Sequence, residues 1–266
     1  MRDAAASADR YTIAVCKGSA LLGETKALLR AWQPTETIEE FRDRVLRDDL
    51  LGKTTAYRAD DIVRRFFARR FLVPAGRPAL LLKRILRRSG SGALLSDLCL
   101  LYAARQDTLV RDSIVRVYWP AVSEGRLTLG SREVLTFLRH AEGNGRIPEP
   151  WSEPVKVRVA RGLLRVMTDF GLLREVRRGR RETLVYHPTD GAIVYLAHDL
   201  HFAGLTDASV VSHRDWQLYG FHQRDVVAAM DRLSAEGWWL VQAAGSVVRI
   251  TWKQASMEDV ANALAG

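Results

Sequence analysis

The sequence predicts a mainly α-helical protein: a helical bundle with winged-helix-like modules that carry small β-hairpins. Three observations predict it. Apolar residues recur every three or four positions over most of the first 146 residues, as on one face of a helix. Thr37, Thr55, Ser131 and Ser152 stand where helices would begin, and all four are residue types that cap free N–H groups. Twice an apolar helix runs into a glycine and then into two short strands, at Gly171 and at Gly237.

Residues 1–10 are small, polar and charged, and read as a flexible tail. Ala20–Trp32 is apolar at helical spacing. Thr37 caps a helix reaching Arg47, with Glu39 and Glu40 in its first turn, where carboxylates suit the helix dipole. Thr54-Thr55 starts a helix that runs to Phe71. Pro78 opens a short basic helix, Ala79–Arg88, which the run Ser89-Gly-Ser-Gly92 breaks. Leu94–Ala104 and Asp107–Tyr118 are two more helices, the second ended or kinked by Pro120. Ser131 caps Arg132–Ala141, and Glu142–Pro150 is a loop.

Beyond Pro150 the pattern changes. Ser152-Glu-Pro154 is a strong helix start, and the helix runs to Phe170. Leu172–Val176 and Thr183–His187 read as strands around the turn Arg177-Arg178-Gly179-Arg180. A weak repeat follows at an offset of 66: Met167-x-x-x-Gly171 aligns with Leu233-x-x-x-Gly237. The second glycine also precedes a hairpin, Trp238–Ala243 and Val247–Trp252, turning at Ala244-Gly245. These signals divide the chain into a tail (1–10), a helical N-terminal domain (11–146), a basic winged-helix-like module (147–190) and a second, acidic, wing-like module (191–266).

Charge is sorted along this framework. The formal net charge is +9. Residues 58–88 hold ten basic side chains against Asp60 and Asp61, and residues 156–181 hold nine against Asp169 and Glu175. The two blocks therefore carry +8 and +7, and the rest of the chain sums to −6. Residues 182–266, with five basic and ten acidic side chains, contribute −5. Basic blocks on an acidic body point to a polyanion, and the excess of Arg over Lys favours bidentate phosphate contact. Arg158, Arg161 and Arg165 fall on one stripe of their helix, opposite Leu164 and Met167, beside a hairpin tip with Arg177, Arg178, Arg180 and Arg181. Arg58, Arg65 and Arg69 form a second stripe, with Arg64 and Arg70 on the same helix. The competing reading of each stripe is a solvated face braced by acids, such as Asp169 four residues after Arg165.

Other groups carry less. Cys16 and Cys99 form neither a disulfide framework nor a CxxC site, which suits a reducing cytoplasm. Residues 2–10 lack the apolar core of a signal peptide, and the apolar stretch at 92–104 is too short to span a bilayer, so no membrane partner is expected. His198 and His201 sit at i, i+3 without further ligands and read as helix-surface histidines. Of Trp238 and Trp239, only one is expected to be buried, because neighbours on a strand face opposite ways. Glu24-Thr-Lys26 echoes the end of a nuclease motif but lacks the preceding strand and Asp. There is no phosphate-binding glycine loop and no nucleophile signature. No catalytic residue, cofactor or metal is assigned.

Several segments, taken in order, resemble a known family. They are Tyr11-Thr-Ile-Ala-Val-Cys-Lys-Gly-Ser-Ala-Leu-Leu-Gly-Glu-Thr25, Arg47-Asp-Asp-Leu-Leu51, Asp112-Ser-Ile-Val-Arg-Val-Tyr118, Trp151-Ser152 and Asp169-Phe-Gly-Leu-Leu173. Their order and spacing over residues 11–200 look like the A protein of BREX phage-defence systems. The Asp48-Asp49 pair departs from the Asn that the family prefers there. The resemblance implies a non-enzymatic component of a defence operon, with other defence-system proteins as partners. It also implies a fold likened to the RNA-binding antitermination factor NusB. The expected function is nucleic-acid binding, to double-stranded DNA in the first place. An RNA-binding factor and a protein scaffold are the contrasting classes.

Overall fold

The computed structural model describes residues 10–18, 20–53, 55–88, 92–177, 179–244 and 247–266. The expected tail (residues 1–9), Thr54, the break at Ser89–Ser91, Arg178 and the turn residue Gly245 lie outside them. In chain order the helices are α1 (Leu22–Ala31), α2 (Ile38–Arg47) and α3, which starts at Ala56–Asp61, widens into a π turn at Ile62–Phe67 and closes at Ala68–Phe71. Next come α4 (Arg77–Arg88), α5 (Gly92–Gln106) and α6, which has the same three parts: Thr108–Ser113, a π turn at Ile114–Tyr118, and Trp119–Ser123. Strand β1 (Thr128–Leu129), α7 (Ser131–Gly143), α8 (Glu153–Asp169), β2 (Leu173–Arg177) and β3 (Arg180–Thr183) follow. The chain ends with α9 (Asp190–Phe202), α10 (Asp207–Val211), α11 (Gln223–Ser234), β4 (Trp239–Ala244), β5 (Val247–Trp252) and α12 (Met257–Leu264). It is a mainly helical fold with two small antiparallel sheets, as the periodicity and the glycine-hairpin signals predict.

Two compact units divide the chain. One comprises Met1–Glu24 and Cys99–Tyr186, the other Thr25–Leu98 and His187–Gly266. In the first, α6, α7 and α8 enclose a core that includes Ile114, Tyr118, Val134, Leu138, Leu163 and Met167, all buried. Burying each of these large side chains stabilises the unit by about 1.5–3 kcal/mol before entropy is counted. The Tyr118 hydroxyl donates to the carbonyl of Leu184 and accepts the N–H of Tyr186, and burial pushes its pKa up to about 12. Pro120 does not end α6. The preceding π turn hands the Trp119 N–H to the carbonyl of Ile114, five residues back, and the proline is accommodated in the first turn of the α segment that follows. At the start of α7 the cap position falls on Gly130, whose N–H is held by the Glu133 carboxylate at 3.0 Å; Ser131 is the first helical residue.

The end of α8 behaves as its sequence requires. Gly171 takes φ = +78°, and the Leu172 N–H returns to the carbonyl of Met167, closing the helix. The chain then forms β2, and β3 comes earlier than the alternation suggests: Arg180–Thr183 is strand, whereas 184–189 is irregular. The register, in which Arg177 pairs with Arg180, goes with the shift. It sets Arg174 opposite Glu182 and Glu175 opposite Arg181, so unlike charges face each other across the strands. β3 also pairs with β1, giving a three-stranded sheet in the order β1-β3-β2.

In the second unit, Thr37 and Glu40 form a reciprocal cap on α2: the Glu40 N–H donates to Thr37 Oγ1 at 3.2 Å, and the Thr37 N–H to Glu40 Oε2 at 2.8 Å. Phe41, Phe67 and Phe71 pack in succession as tilted rings, with centroids 5.6 Å apart. Asp97, buried, accepts the backbone N–H and hydroxyl of Thr189 at 2.8 and 2.7 Å and so fixes the start of α9. The repeat at Gly237 holds: φ is +85° there, and β4 and β5 follow as a two-stranded hairpin. Val248 and Ile250 are buried, as alternation predicts, and of the tryptophan pair Trp239 is buried while Trp238 is half-buried. His198 corrects the surface reading. It has no exposed area and sits among the rings of Trp239, Trp252 and Phe202, because α9 is apolar on nearly every side and is wrapped by the hairpin.

Candidate nucleic-acid interface

α8 opens with Ser152, Glu153 and Pro154; the Ser152 side chain makes no capping hydrogen bond, so the proline and the acidic first turn carry the start. Val159, Ala160, Leu163, Leu164 and Met167 face the core. Arg158, Arg161 and Arg165 are exposed, one turn or less apart along the opposite face. Arg165 approaches Asp169 at 3.9 Å, while Arg158 and Arg161 make no ion pair among the described residues. The N-terminal turn Ile13–Lys17 packs along one flank of this stripe. A methyl group at Gly162 would meet the Val15 carbonyl oxygen at 3.2 Å, so the glycine permits the close approach.

Lys156 does not belong to the exposed charge of its block. It is buried, with Nζ 2.6 Å from Glu142 Oε2 and 3.3 Å from Glu153 Oε1, and the first of these contacts raises its pKa. It ties α7 to α8. Replacing it with Met removes the cation paired with the Glu142 carboxylate and is expected to lower the thermal midpoint; an unchanged midpoint would contradict that bracing role.

At the hairpin, Arg177 and Arg180 are exposed and make no ion pair among the described residues. Arg181, expected at the tip, lies within β3 with its side chain only 16% exposed, 3.8 Å from Glu175. Arg174 pairs with Glu182 at 2.7 Å. Arg178 lies outside the described residues.

In the other block, in the second unit, three arginines of α3 are held by acids. Arg58 and Arg65 lie 3.7 and 2.9 Å from the buried Asp61, and Arg64 is 3.5 Å from Glu39 and 3.6 Å from Asp60. Arg70 is 8% exposed and covers the Phe66 ring at 5.4 Å. Lys83 donates to the carbonyls of Arg30 and Trp32 and thus closes the end of α1. Arg69, Arg77, Arg84 and Arg87 remain exposed. Phe66, Phe67 and Phe71, the aromatics of this block, are buried.

Sequence reasoning missed a third basic feature, a cleft of about 700 Å³ in the first unit lined by Tyr11, Arg116, Arg126, Arg132, Phe137 and Arg146, among others. Its residues are scattered from 11 to 146, and only the fold collects them. Among the described residues no cluster of three or more His, Cys, Asp or Glu could hold a metal, and no helix is long and apolar enough to cross a membrane.

The model of the BrxA family matches residues 9–189. This chain belongs to the BrxA family. Membership makes it a BREX phage-defence family protein, for which other defence proteins are the natural partners. Among solved structures, the crystal structure of an uncharacterized protein from Magnetospirillum magneticum is similar, with a TM-score of 0.58 and 18% identity over 73% of this chain and 95% of that one. At that identity the likeness speaks for the fold alone. No curated protein matches.

Proposed function

We propose that this BrxA-family chain is a non-enzymatic component of a BREX system that binds double-stranded DNA through its first unit. The observation that carries the reading is the row Arg158, Arg161 and Arg165 on the open face of α8, continued by Arg177 and Arg180 on the hairpin that follows directly. These five guanidinium groups are exposed and weakly paired or unpaired, so phosphates can reach them without breaking strong ion pairs, and binding gains from counterion release. The order α6, β1, α7, α8, hairpin, with the sheet order β1-β3-β2, supports a winged helix-turn-helix. In that motif the last helix enters the major groove and the wing touches adjacent phosphates. No aromatic side chain stands on the exposed stripe of α8, which favours backbone contact over base stacking. Arg58, Arg64 and Arg65 add less, since acids already hold them, and the buried Arg70 is left out of the contact surface.

A shift assay with duplex DNA, duplex RNA and single strands tests the reading. Duplex DNA is expected to bind best; preference for RNA, or no binding to any of them, would overturn it in favour of an RNA factor or a scaffold. Arg177→Ala with Arg180→Ala is expected to weaken duplex binding roughly tenfold to thirtyfold, about 1 kcal/mol for each screened phosphate contact. Arg249→Ala, on the exposed side of the second hairpin, is expected to leave affinity unchanged. The opposite ranking would assign binding to the other hairpin.

A further inference from the structure

The geometry points to a second anion site in the first unit: the cleft between α6 and α7 takes a nucleotide-sized phosphate ester, separately from the duplex surface on α8. Asp112 is 1% exposed, and three residues of the cleft lining, Tyr11, Arg116 and Arg146, turn to it. It accepts the Tyr11 hydroxyl at 2.7 Å, Arg146 at 2.9 Å and Arg111 at 3.0 Å, and Arg116 stands 3.8 Å away. Asp112 thus contacts three guanidinium groups. Desolvation and the Asp112 contact push the Tyr11 phenol well above its usual range, so it stays a neutral donor and adds no negative charge.

The walls do not restore the balance. Arg116, Arg126, Arg132 and Arg146 line the cleft against Glu124 and Glu133. Glu124 is engaged by Arg126 at 2.5 Å, and Glu133 holds the Gly130 N–H. Arg132 is exposed at the rim with no ion pair among the described residues, and the Arg116 side chain is half exposed. With Asp112 counted, the arginines of the lining still outnumber the carboxylates, and Arg132 and the half-exposed Arg116 present that charge in a concave space, where field lines concentrate. The other part of the lining is apolar and aromatic: Phe137, 6.0 Å from the Tyr11 ring, with Pro120 and Ala121 beside it. Guanidinium groups at one side and a flat apolar wall at the other suit a phosphate joined to a planar ring, and about 700 Å³ lies within the usual range of small-molecule pockets. That chemistry is shared by a free nucleotide and by an unpaired nucleotide of a DNA strand.

Calorimetry with the full chain separates these. The probes are deoxyadenosine monophosphate, inorganic phosphate, and a 5′-phosphorylated four-nucleotide single strand. The monophosphate is expected to bind more tightly than inorganic phosphate, and Arg116→Ala with Arg132→Ala is expected to weaken it at least about tenfold. The same variant is expected to hold its affinity for duplex DNA within about twofold, with the thermal midpoint unchanged. If Arg116→Ala unfolds the unit, Arg132→Glu alone serves, since that side chain is exposed and unpaired. Binding of the four-nucleotide strand in competition with the monophosphate marks a DNA source, and binding of the monophosphate alone a free nucleotide; both support the site. No binding, no gain over inorganic phosphate, or no effect of the substitutions would overturn it. A parallel loss of duplex affinity would also overturn it, by making the cleft part of the duplex surface.

Discussion

Arg158→Ala, Arg161→Ala and Arg165→Ala together are expected to lower duplex-DNA affinity by about a hundredfold. Three phosphate contacts are lost, each worth about 1 kcal/mol once solvent screening is allowed for. The loss is expected at every DNA sequence alike, because phosphate contacts carry no base information. The fold is expected to survive. All three side chains are exposed, and the single ion pair broken is Arg165–Asp169 at 3.9 Å, a surface pair worth a few tenths of a kcal/mol. Fluorescence anisotropy on a labelled duplex, with equal thermal midpoints as the control, decides the matter. A variant that binds within twofold of the parent would remove α8 from the interface.

Acid is expected to destabilise the second unit through His198. Its Nδ1–H donates to the Val194 carbonyl at 2.8 Å, and its Nε2 is buried without a hydrogen-bond partner, so the ring is held neutral. Burial depresses its pKa from the ordinary 6.5 to about 4. His201, stacked on Trp252 at 4.3 Å, is depressed as well by burial. The unfolded chain takes up a proton as pH falls through 6.5, and the folded chain does not until about 4. Stability is therefore full above pH 6.5, falls between 6.5 and 4, and levels off below. The loss attributable to His198 is about 3 kcal/mol. His198→Leu is expected to flatten that part of the profile, read by tryptophan fluorescence, since Trp238, Trp239 and Trp252 surround the ring. An equally steep profile in the variant would place the acid-sensitive group elsewhere.

Much of this fold is legible in the sequence because local rules decide it. The Thr37–Glu40 cap, the stop at Gly171 and the alternation of Val248 and Ile250 each depend on residues within a few positions. The α8 stripe was legible for the same reason: helical periodicity alone puts Arg158, Arg161 and Arg165 on one face. What sequence could not supply were partners distant along the chain. Arg58, Arg64 and Arg65 look free until Glu39 and the buried Asp61 are placed beside them. Lys156 reads as surface charge until the helix turn brings Glu142 to it. His198 reads as a surface residue because its covering rings, Trp239 and Trp252, lie some forty to fifty positions later. The register of β3 followed from cross-strand charge pairs that strand alternation does not weigh.

The most direct test of phosphate binding by the first unit is the salt dependence of duplex affinity. Five arginines, Arg158, Arg161, Arg165, Arg177 and Arg180, on phosphates give a slope of log K against log salt of about −4 to −5, and the triple α8 variant is expected to bring it to about −2. A slope near zero for the parent, or an unchanged slope in the variant, would contradict the account.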